Sequence, residues 1–325
     1  VLTAVSLFSG CGGFDIGVRD AGVRILWAND CNRYAAQTYR SILPDVEFFE
    51  GDIRTYPIEQ LPQADFLIGC YPCQGYSTGA LRGHKDDLHE KQRRDPNNFL
   101  YKKFAEVIPI VQPDFLFVEN VNGLQSAAGG WFLKEQIKCF SFDNEYEITP
   151  YIIRMEEYGL PQTRKRLFLV GVRKALGFRY AIPQPTHGPR GSLPYQTLQD
   201  VVSNMPEWPT GKFDINPFHG HYLTRNRKRQ WHECSYTIVA HSHHITLHPM
   251  GEPMIKIGKD AWQLQGHHNR RLSWDECARI QSFPDDFEPS GSLKAKYAQI
   301  GNAVPPRVSQ MLVKPAQFFY SGEYI

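Results

Sequence analysis

Over roughly the first 180 residues, short apolar runs alternate with stretches of helical spacing. The runs fall at Ala4–Phe8, Ile25–Ala28, Val46–Phe49, Phe66–Gly69, Phe115–Val118, Ile148–Ile153 and Leu167–Val172. Each is strand-sized and bounded by polar or glycine-bearing turns. The pattern therefore predicts βαβ units and an α/β fold with a doubly wound, mostly parallel sheet. From Pro183 to about Gly211 the periodicity gives way to Pro and Gly, which reads as a linker into a smaller domain. The mixture from Arg271 to Phe287 predicts a helix stopping at Ser282-Phe283-Pro284. Ile300-Gly301-Asn302-Ala303-Val304-Pro305 then predicts a tight loop before a last helix. The division expected is residues 1–182 with 288–325 in one domain, and 183–287 in a second with its hinge.

Composition changes this picture little. With 325 residues, 42% apolar and 13% aromatic, the chain can bury a substantial core. Its formal charge of +2 is compatible with a nucleic-acid partner or a small substrate, so local distribution has to decide. No run approaches a membrane span, and the apolar start Val1–Val5 is soon broken, unlike a signal peptide. The chain therefore reads as cytoplasmic, and seven cysteines, an odd number in such a chain, argue against a disulfide framework. Cys11, Cys31, Cys139 and Cys277 read as small packing residues.

Chemistry concentrates where strands end. Phe8-Ser9-Gly10-Cys11-Gly12-Gly13-Phe14-Asp15 is a glycine-rich turn into a helix, which lets a ligand approach the backbone. Its glycines crowd together instead of following the dinucleotide spacing, and Asp15 would repel a phosphate. Asp30 closes the second strand, where an acid takes ribose hydroxyls. Gly51-Asp52-Ile53 closes the third, where an acid and an apolar side chain hold an adenine. Ribose and adenine without phosphate point to S-adenosylmethionine. Cys73, in Tyr71-Pro72-Cys73-Gln74, follows the fourth run, and Glu119-Asn120-Val121 ends the fifth. A strand-to-helix turn rich in backbone N–H groups favours a thiolate.

With Gln162-Thr163-Arg164-Lys165-Arg166, Arg271–Phe283 and Gly301–Pro305, these segments in this order resemble the DNA (cytosine-5)-methyltransferases of bacterial restriction-modification systems. The resemblance spans nearly the whole chain. Only about Pro183–His268 falls outside the motifs, where that family keeps its variable target-recognition region. The resemblance implies a methyltransferase-type sheet domain with a smaller DNA target-recognition domain, and S-adenosylmethionine as cofactor. It implies catalytic roles for Cys73, Glu119, Arg164 and Arg166. It places Phe8, Gly10, Gly12, Asp30, Asp52, Ile53, Pro72, Leu100, Asn302 and Ala303 at the cofactor. Gln74–Asn98 resembles the family's mobile catalytic loop, with Gln74, Ser77 and Arg82 as DNA contacts. The partner expected is double-stranded DNA, met by a monomer that pairs functionally with a restriction endonuclease in the bacterial cytoplasm, at the nucleoid.

The residue types suit that chemistry. Carbon 5 of cytosine is a poor nucleophile until a thiolate adds to carbon 6, and Cys73 supplies the thiolate. A carboxylic acid of raised pKa at ring nitrogen 3 (Glu119) and a guanidinium at the carbonyl oxygen (Arg166) stabilise the transition state. Arg164 stands beside Arg166 on an extended segment. Arg225, Arg227, Lys228 and Arg229 with Trp231 read as a basic patch for phosphate and guanine, and His243 as a further DNA contact. His241, His243, His244 and His248 lack a CxxC partner, so no metal is assigned. Two rival readings are a thiol-disulfide oxidoreductase using Cys70-Tyr71-Pro72-Cys73 and a DNA-binding module without catalysis. A redox protein would need neither Glu119-Asn120-Val121 nor Gln162–Arg166.

Overall fold

A computed structural model describes residues 1–72, 90 and 92–322. It divides into two compact units: residues 1–153, 165–183 and 309–325, and residues 154–164 and 184–308. Compared with the boundaries read from the sequence, residues 154–164 and 288–308 lie with the second unit.

The first unit begins β1 (Thr3–Leu7), α1 (Gly13–Asp20), β2 (Arg24–Asp30), α2 (Arg33–Ile42), β3 (Glu47–Glu50) and β4 (Phe66–Gly69). It continues with α3 (Tyr101–Val111), β5 (Phe115–Val121), α4 (Trp131–Phe140) and β6 (Tyr146–Arg154), whose last residue enters the second unit. After β7 (Gln162–Thr163), in the second unit, β8 (Lys165–Arg173) returns to the first. The sheet order is β3-β2-β1-β4-β5-β8-β6. Pairings among β1 to β5 are parallel, and β8 runs antiparallel to β5. All seven apolar runs become sheet strands. Phe66–Gly69 and Phe115–Val118 are buried throughout, as strands covered on both faces must be. α2 starts where Asn32 Oδ1 accepts the N–H groups of Tyr34 (3.0 Å) and Ala35 (3.1 Å), an N-cap that fixes the exit from β2. Because β1 to β3 progress one way and β4 and β5 the other, right-handed crossovers send their helices to opposite faces. The order reverses between β1 and β4.

The second unit has little regular structure: α5 (Leu198–Val202), β9 (Ser235–Tyr236, parallel to β7), the ribbon β10 (Ile255–Gly258) with β11 (Ala261–Gln263), α6 (Trp274–Ile280) and α7 (Leu293–Asn302). α8 (Pro306–Ser321) begins here and returns to the first unit. Irregular backbone leaves many carbonyls without a ladder partner, and buried cations serve them. Arg271, 1% exposed, donates to the carbonyls of Asp214 (3.1 Å), Asn216 (2.7 Å) and His243 (3.3 Å). Arg270 donates to Glu207 O (2.6 Å) and forms a bidentate pair with Glu276 (2.7 and 2.8 Å), which is also the reciprocal partner in the Ser273 capping box of α6. The two differences from the expected element ends lie here. Residues 281–287 follow α6 outside the helix, with Ser282 at φ +61°, and Ile300–Asn302 form the last turn of α7 instead of a loop.

His248 packs against this pair, with Nδ1 accepting the Met250 N–H (3.2 Å) and Nε2 lying 3.5 Å from Glu276 Oε1. That geometry suits the neutral ring. Burial, then the charges of Arg270 and Lys228, push its pKa down to about 3. A depressed histidine stabilises the fold above its unfolded pKa of about 6.5, and that contribution is lost as pH falls through the window toward 3. Asp15, raised to about 6, works the opposite way, its contribution lost as pH rises from about 4 through 6. Comparison with a variant separates the two. His248→Gln is expected to flatten the fall in melting temperature between pH 6.5 and 4.5; a fall as steep as the parent's would exclude His248 as its source.

Candidate active site

The reversal between β1 and β4 is where open α/β sheets hold ligands. On the β1 side three loops are tied together. Phe8 leaves the strand at φ +57°, strain of the kind that collects at functional sites, and Gly10 (φ +58°) and Gly12 (φ +88°) continue the turn. A Cβ on Gly12 would stand 3.1 Å from the Tyr39 ring, whereas Gly10 faces open space. Both left-handed backbones favour glycine; the first is left accessible, and the second is also closely packed. Gly10 N–H donates to Asp30 Oδ2 (2.9 Å) and Asn32 N–H to Oδ1 (2.8 Å). Burial nonetheless raises the Asp30 pKa. Asn29, unremarked in the sequence, joins the ends of β1, β2 and β3. Its amide donates to Gly51 O (2.7 Å) and its backbone carbonyl accepts Ser9 N–H (2.8 Å). Its position one residue before Asp30 was the available signal.

Beneath the turn, Asp15 is fully buried and accepts from Ser6 Oγ (2.8 Å) and the Tyr39 hydroxyl (2.7 Å). An acid below and Asp30 beside the turn disfavour a phosphate and favour a neutral or cationic ligand that offers hydroxyl donors. Cys11 is 2% exposed and burial pushes its thiol up to about 12, so it packs and does not react. Asp52 caps the 3₁₀ turn Ile53–Thr55, and its hydrogen bonds with the Arg54 guanidinium lower its pKa; Ile53 is buried.

On the β4 side, Gly69 sits between Leu7 of β1 and Val118 of β5. Cys70 follows, half-buried, its N–H donating to Leu7 O (3.2 Å). Tyr71 packs edge-on to Phe8 with centroids 6.2 Å apart, and its hydroxyl donates to Gln136 Oε1 (2.5 Å). Tyr71 therefore ties the chain leaving β4 to Phe8 of the glycine turn and to Gln136. Pro72 is exposed. Cys73, Gln74, Ser77 and Arg82 lie outside the described residues. The end of the Gln74–Asn98 stretch is anchored to the core, with Asn98 Nδ2 donating to Gln92 O (2.8 Å) and Ala128 N–H to Gln92 Oε1 (2.9 Å). Leu100 is buried at the start of α3.

Glu119 follows Val118, and Arg166 reaches it from β8, Nε to Oε1 3.1 Å, with both side chains largely buried. Arg164 does not stand beside Arg166 as strand alternation predicted. The strand is interrupted at Arg164, between β7 and β8, and its side chain turns to the carbonyls of Ile238, Gly301 and Ala303. In the second unit Asn302 and Ala303 end α7.

The basic run there does not form one surface patch. Arg225 is exposed. Arg227 is 7% exposed, donates to Tyr222 O (3.0 Å) and stacks on the Tyr222 ring. Lys228 is buried against Glu252 O (2.8 Å) and Asn269 (3.1 Å), and burial lowers its pKa to about 8. Arg229 pairs with Glu233 (2.8 Å) over the Tyr236 ring. Half-exposed His243 lies 3.0 Å from Asp214. Among the described residues, no three His, Cys, Asp or Glu side chains gather as a metal site, and no helix is long and apolar enough to cross a membrane.

The family described as C-5 cytosine-specific DNA methylase matches residues 2–317. The chain is 34% identical over 356 residues to the type II methyltransferase M.BsuRI of Bacillus subtilis, covering 97% of this chain and 79% of that one. It is 33% identical over 334 residues to the type II methyltransferase M.FnuDI of Fusobacterium nucleatum, covering 95% and 92%. The fold is similar to that of the methyltransferase EhMeth of Entamoeba histolytica, with a TM-score of 0.72 at 16% identity over 100% of this chain and 99% of that one. A match of that extent, joined to relatives above 30% identity along nearly the whole length, places this protein in the C-5 cytosine-specific DNA methylase family, enzymes that methylate carbon 5 of cytosine in DNA.

Proposed function

We propose that the protein moves a methyl group from S-adenosylmethionine to carbon 5 of a cytosine flipped out of a specific duplex site, through a transient bond between Cys73 and carbon 6. The observation that carries this reading is the Glu119–Arg166 pair, 3.1 Å apart at the end of β5, the strand beside β4, which ends four residues before Cys73 in the sequence. The Cys73 thiolate adds to carbon 6, turning carbon 5 into a nucleophile. Glu119, carrying a proton, donates to ring nitrogen 3, and Arg166 donates to the carbonyl oxygen at position 2, where charge develops. Once carbon 5 is methylated, a base removes its proton and the carbon–sulfur bond breaks. The bound cofactor supplies an electrophilic methyl group on a sulfonium.

The β1 side fits such a cofactor. Gly10 leaves space for its approach, and Asp30, already fixed by two N–H groups, keeps lone pairs for ribose hydroxyls. Phe8, Gly12, Asp52, Ile53, Pro72, Leu100, Asn302 and Ala303 are proposed to complete its surroundings. Asp30→Ala is expected to weaken S-adenosylhomocysteine about tenfold to a hundredfold by calorimetry, the effect of losing bonds to a charged acceptor. An unchanged affinity would remove Asp30 from the site.

A base within a duplex cannot reach Cys73, so the cytosine is flipped and the Gln74–Asn98 segment closes over it, with Ser77 and Arg82 contacting DNA. Among the basic run, Arg225 is the exposed member. Arg225→Ala is expected to weaken duplex binding and lower the slope of log affinity against log salt by about 1, without loss of stability. Arg227→Ala should instead lower the melting temperature, since it strips a carbonyl partner and a ring contact; an altered salt slope with an unaltered melt would reverse this division. The companion proposed is a restriction endonuclease that the methyl mark blocks. Incubating the enzyme and tritiated S-adenosylmethionine with a random-sequence duplex library, then reading bisulfite-protected positions, tests the activity and names target and context. Label confined to carbon 5 of one cytosine context is the expected result, and none in DNA would refute the reading.

A further inference from the structure

Arg164, Gln162 and Gln281 form a buried clasp, exposed by 1%, 0% and 0%. Arg164 donates to Ile238 O (3.0 Å), Gly301 O (3.0 Å) and Ala303 O (3.2 Å). Gln281 Nε2 donates to Ile300 O (2.6 Å), and its Oε1 accepts from Gln162 Nε2 (2.6 Å). Gln162 Oε1 in turn accepts Ile238 N–H (3.2 Å). Two otherwise separate backbone segments, at 238–240 and 300–303, are thereby held by three side chains. Gly301 completes the fit. A Cβ there would stand 2.4 Å from Ala240 N and Val239 C, contacts that no side chain tolerates.

We infer that Arg164 and Gln281 are positioning residues that fix the Asn302–Ala303 segment for the cofactor, and that Arg164 takes no part at the reacting base. The inference rests on the proposed placing of Asn302 and Ala303 at the cofactor. The Arg164 guanidinium is turned to three main-chain carbonyls, and the residue's own carbonyl accepts Met155 N–H (2.9 Å). Side chains that saturate carbonyls in the interior set backbone geometry, and each lost bond leaves a buried acceptor unsatisfied. The effect should therefore fall on cofactor affinity and leave the chemical step.

The test uses the full-length enzyme with Arg164→Lys, Gln281→Glu and Asn302→Ala, each assayed below its own melting temperature. S-adenosylhomocysteine affinity is measured by calorimetry and kcat at saturating S-adenosylmethionine. Arg164→Lys and Gln281→Glu at pH 8 are expected to weaken binding about tenfold with kcat within about twofold. At pH 6 the carboxyl introduced by Gln281→Glu, once protonated, regains a donor for Ile300 O. That variant should therefore recover affinity, as an unspecific packing defect would not. A kcat loss in Arg164→Lys with unchanged affinity would return Arg164 to the reacting base. Unchanged affinity in both clasp variants, with Asn302→Ala impaired, would refute the clasp alone. Unchanged affinity in Asn302→Ala would refute the underlying cofactor placement.

Discussion

A Cys73→Ser enzyme is expected to keep its affinity for duplex DNA and S-adenosylhomocysteine yet lose methyl transfer by roughly 10⁴-fold or more, as enzymes do when a covalent nucleophile is removed. A serine hydroxyl has no measurable anion fraction near neutrality, whereas a cysteine already carries a few per cent thiolate at pH 7, before its surroundings add to it. Two residues before Cys73 in the chain, Tyr71 is fixed against Phe8 and Gln136. Single-turnover methylation, with binding measured separately, checks the expectation. Cys70→Ser is the necessary control, because Cys70 and Cys73 have the spacing of a redox pair. Full methylation by Cys70→Ser removes the redox reading; residual methylation by Cys73→Ser close to the parent's would end the covalent mechanism.

The largest effect on stability should come from Glu276→Gln. Glu276 is wholly buried, and Arg270, 1% exposed, holds both its oxygens. Removing one charge of such a pair costs about 3–5 kcal/mol, because the partner charge stays buried without compensation. The capping box at Ser273 is weakened with it. A double variant with Met at 270 and 276 removes both charges and should recover part of the loss. Recovery stays incomplete because Arg270 also serves the Glu207 and Arg271 carbonyls. Denaturant melts of the parent and both variants check this, and a loss below about 1 kcal/mol in the single variant would show a pair of only surface strength.

The sheet was legible because its strands are short apolar runs buried on both faces, a signal carried by local sequence. Asp30, Gly10 and Gly12 were legible for a similar reason: each marks a strand-end turn, and turn chemistry is local. Arg164 was misread because alternation holds only within a continuous strand, and the break between Thr163 and Lys165 depends on distant carbonyls at Ile238, Gly301 and Ala303. The basic run from Arg225 misled likewise. Arg227 and Lys228 satisfy an irregular backbone, a demand that no local pattern records. The partners of Tyr71 and Gln281 were not legible, since Gln136 and Ile300 are distant along the chain.

The covalent step through Cys73 is tested most directly with duplex DNA carrying 5-fluorocytosine at the target position. Fluorine on carbon 5 cannot be eliminated after methyl transfer, so the enzyme should be trapped on its substrate. The expected result, with S-adenosylmethionine present, is a denaturation-resistant protein–DNA adduct whose peptide mapping places the bond at Cys73. Enzyme that methylates ordinary duplex but forms no adduct with the fluorinated one, or forms it at another residue, would contradict it.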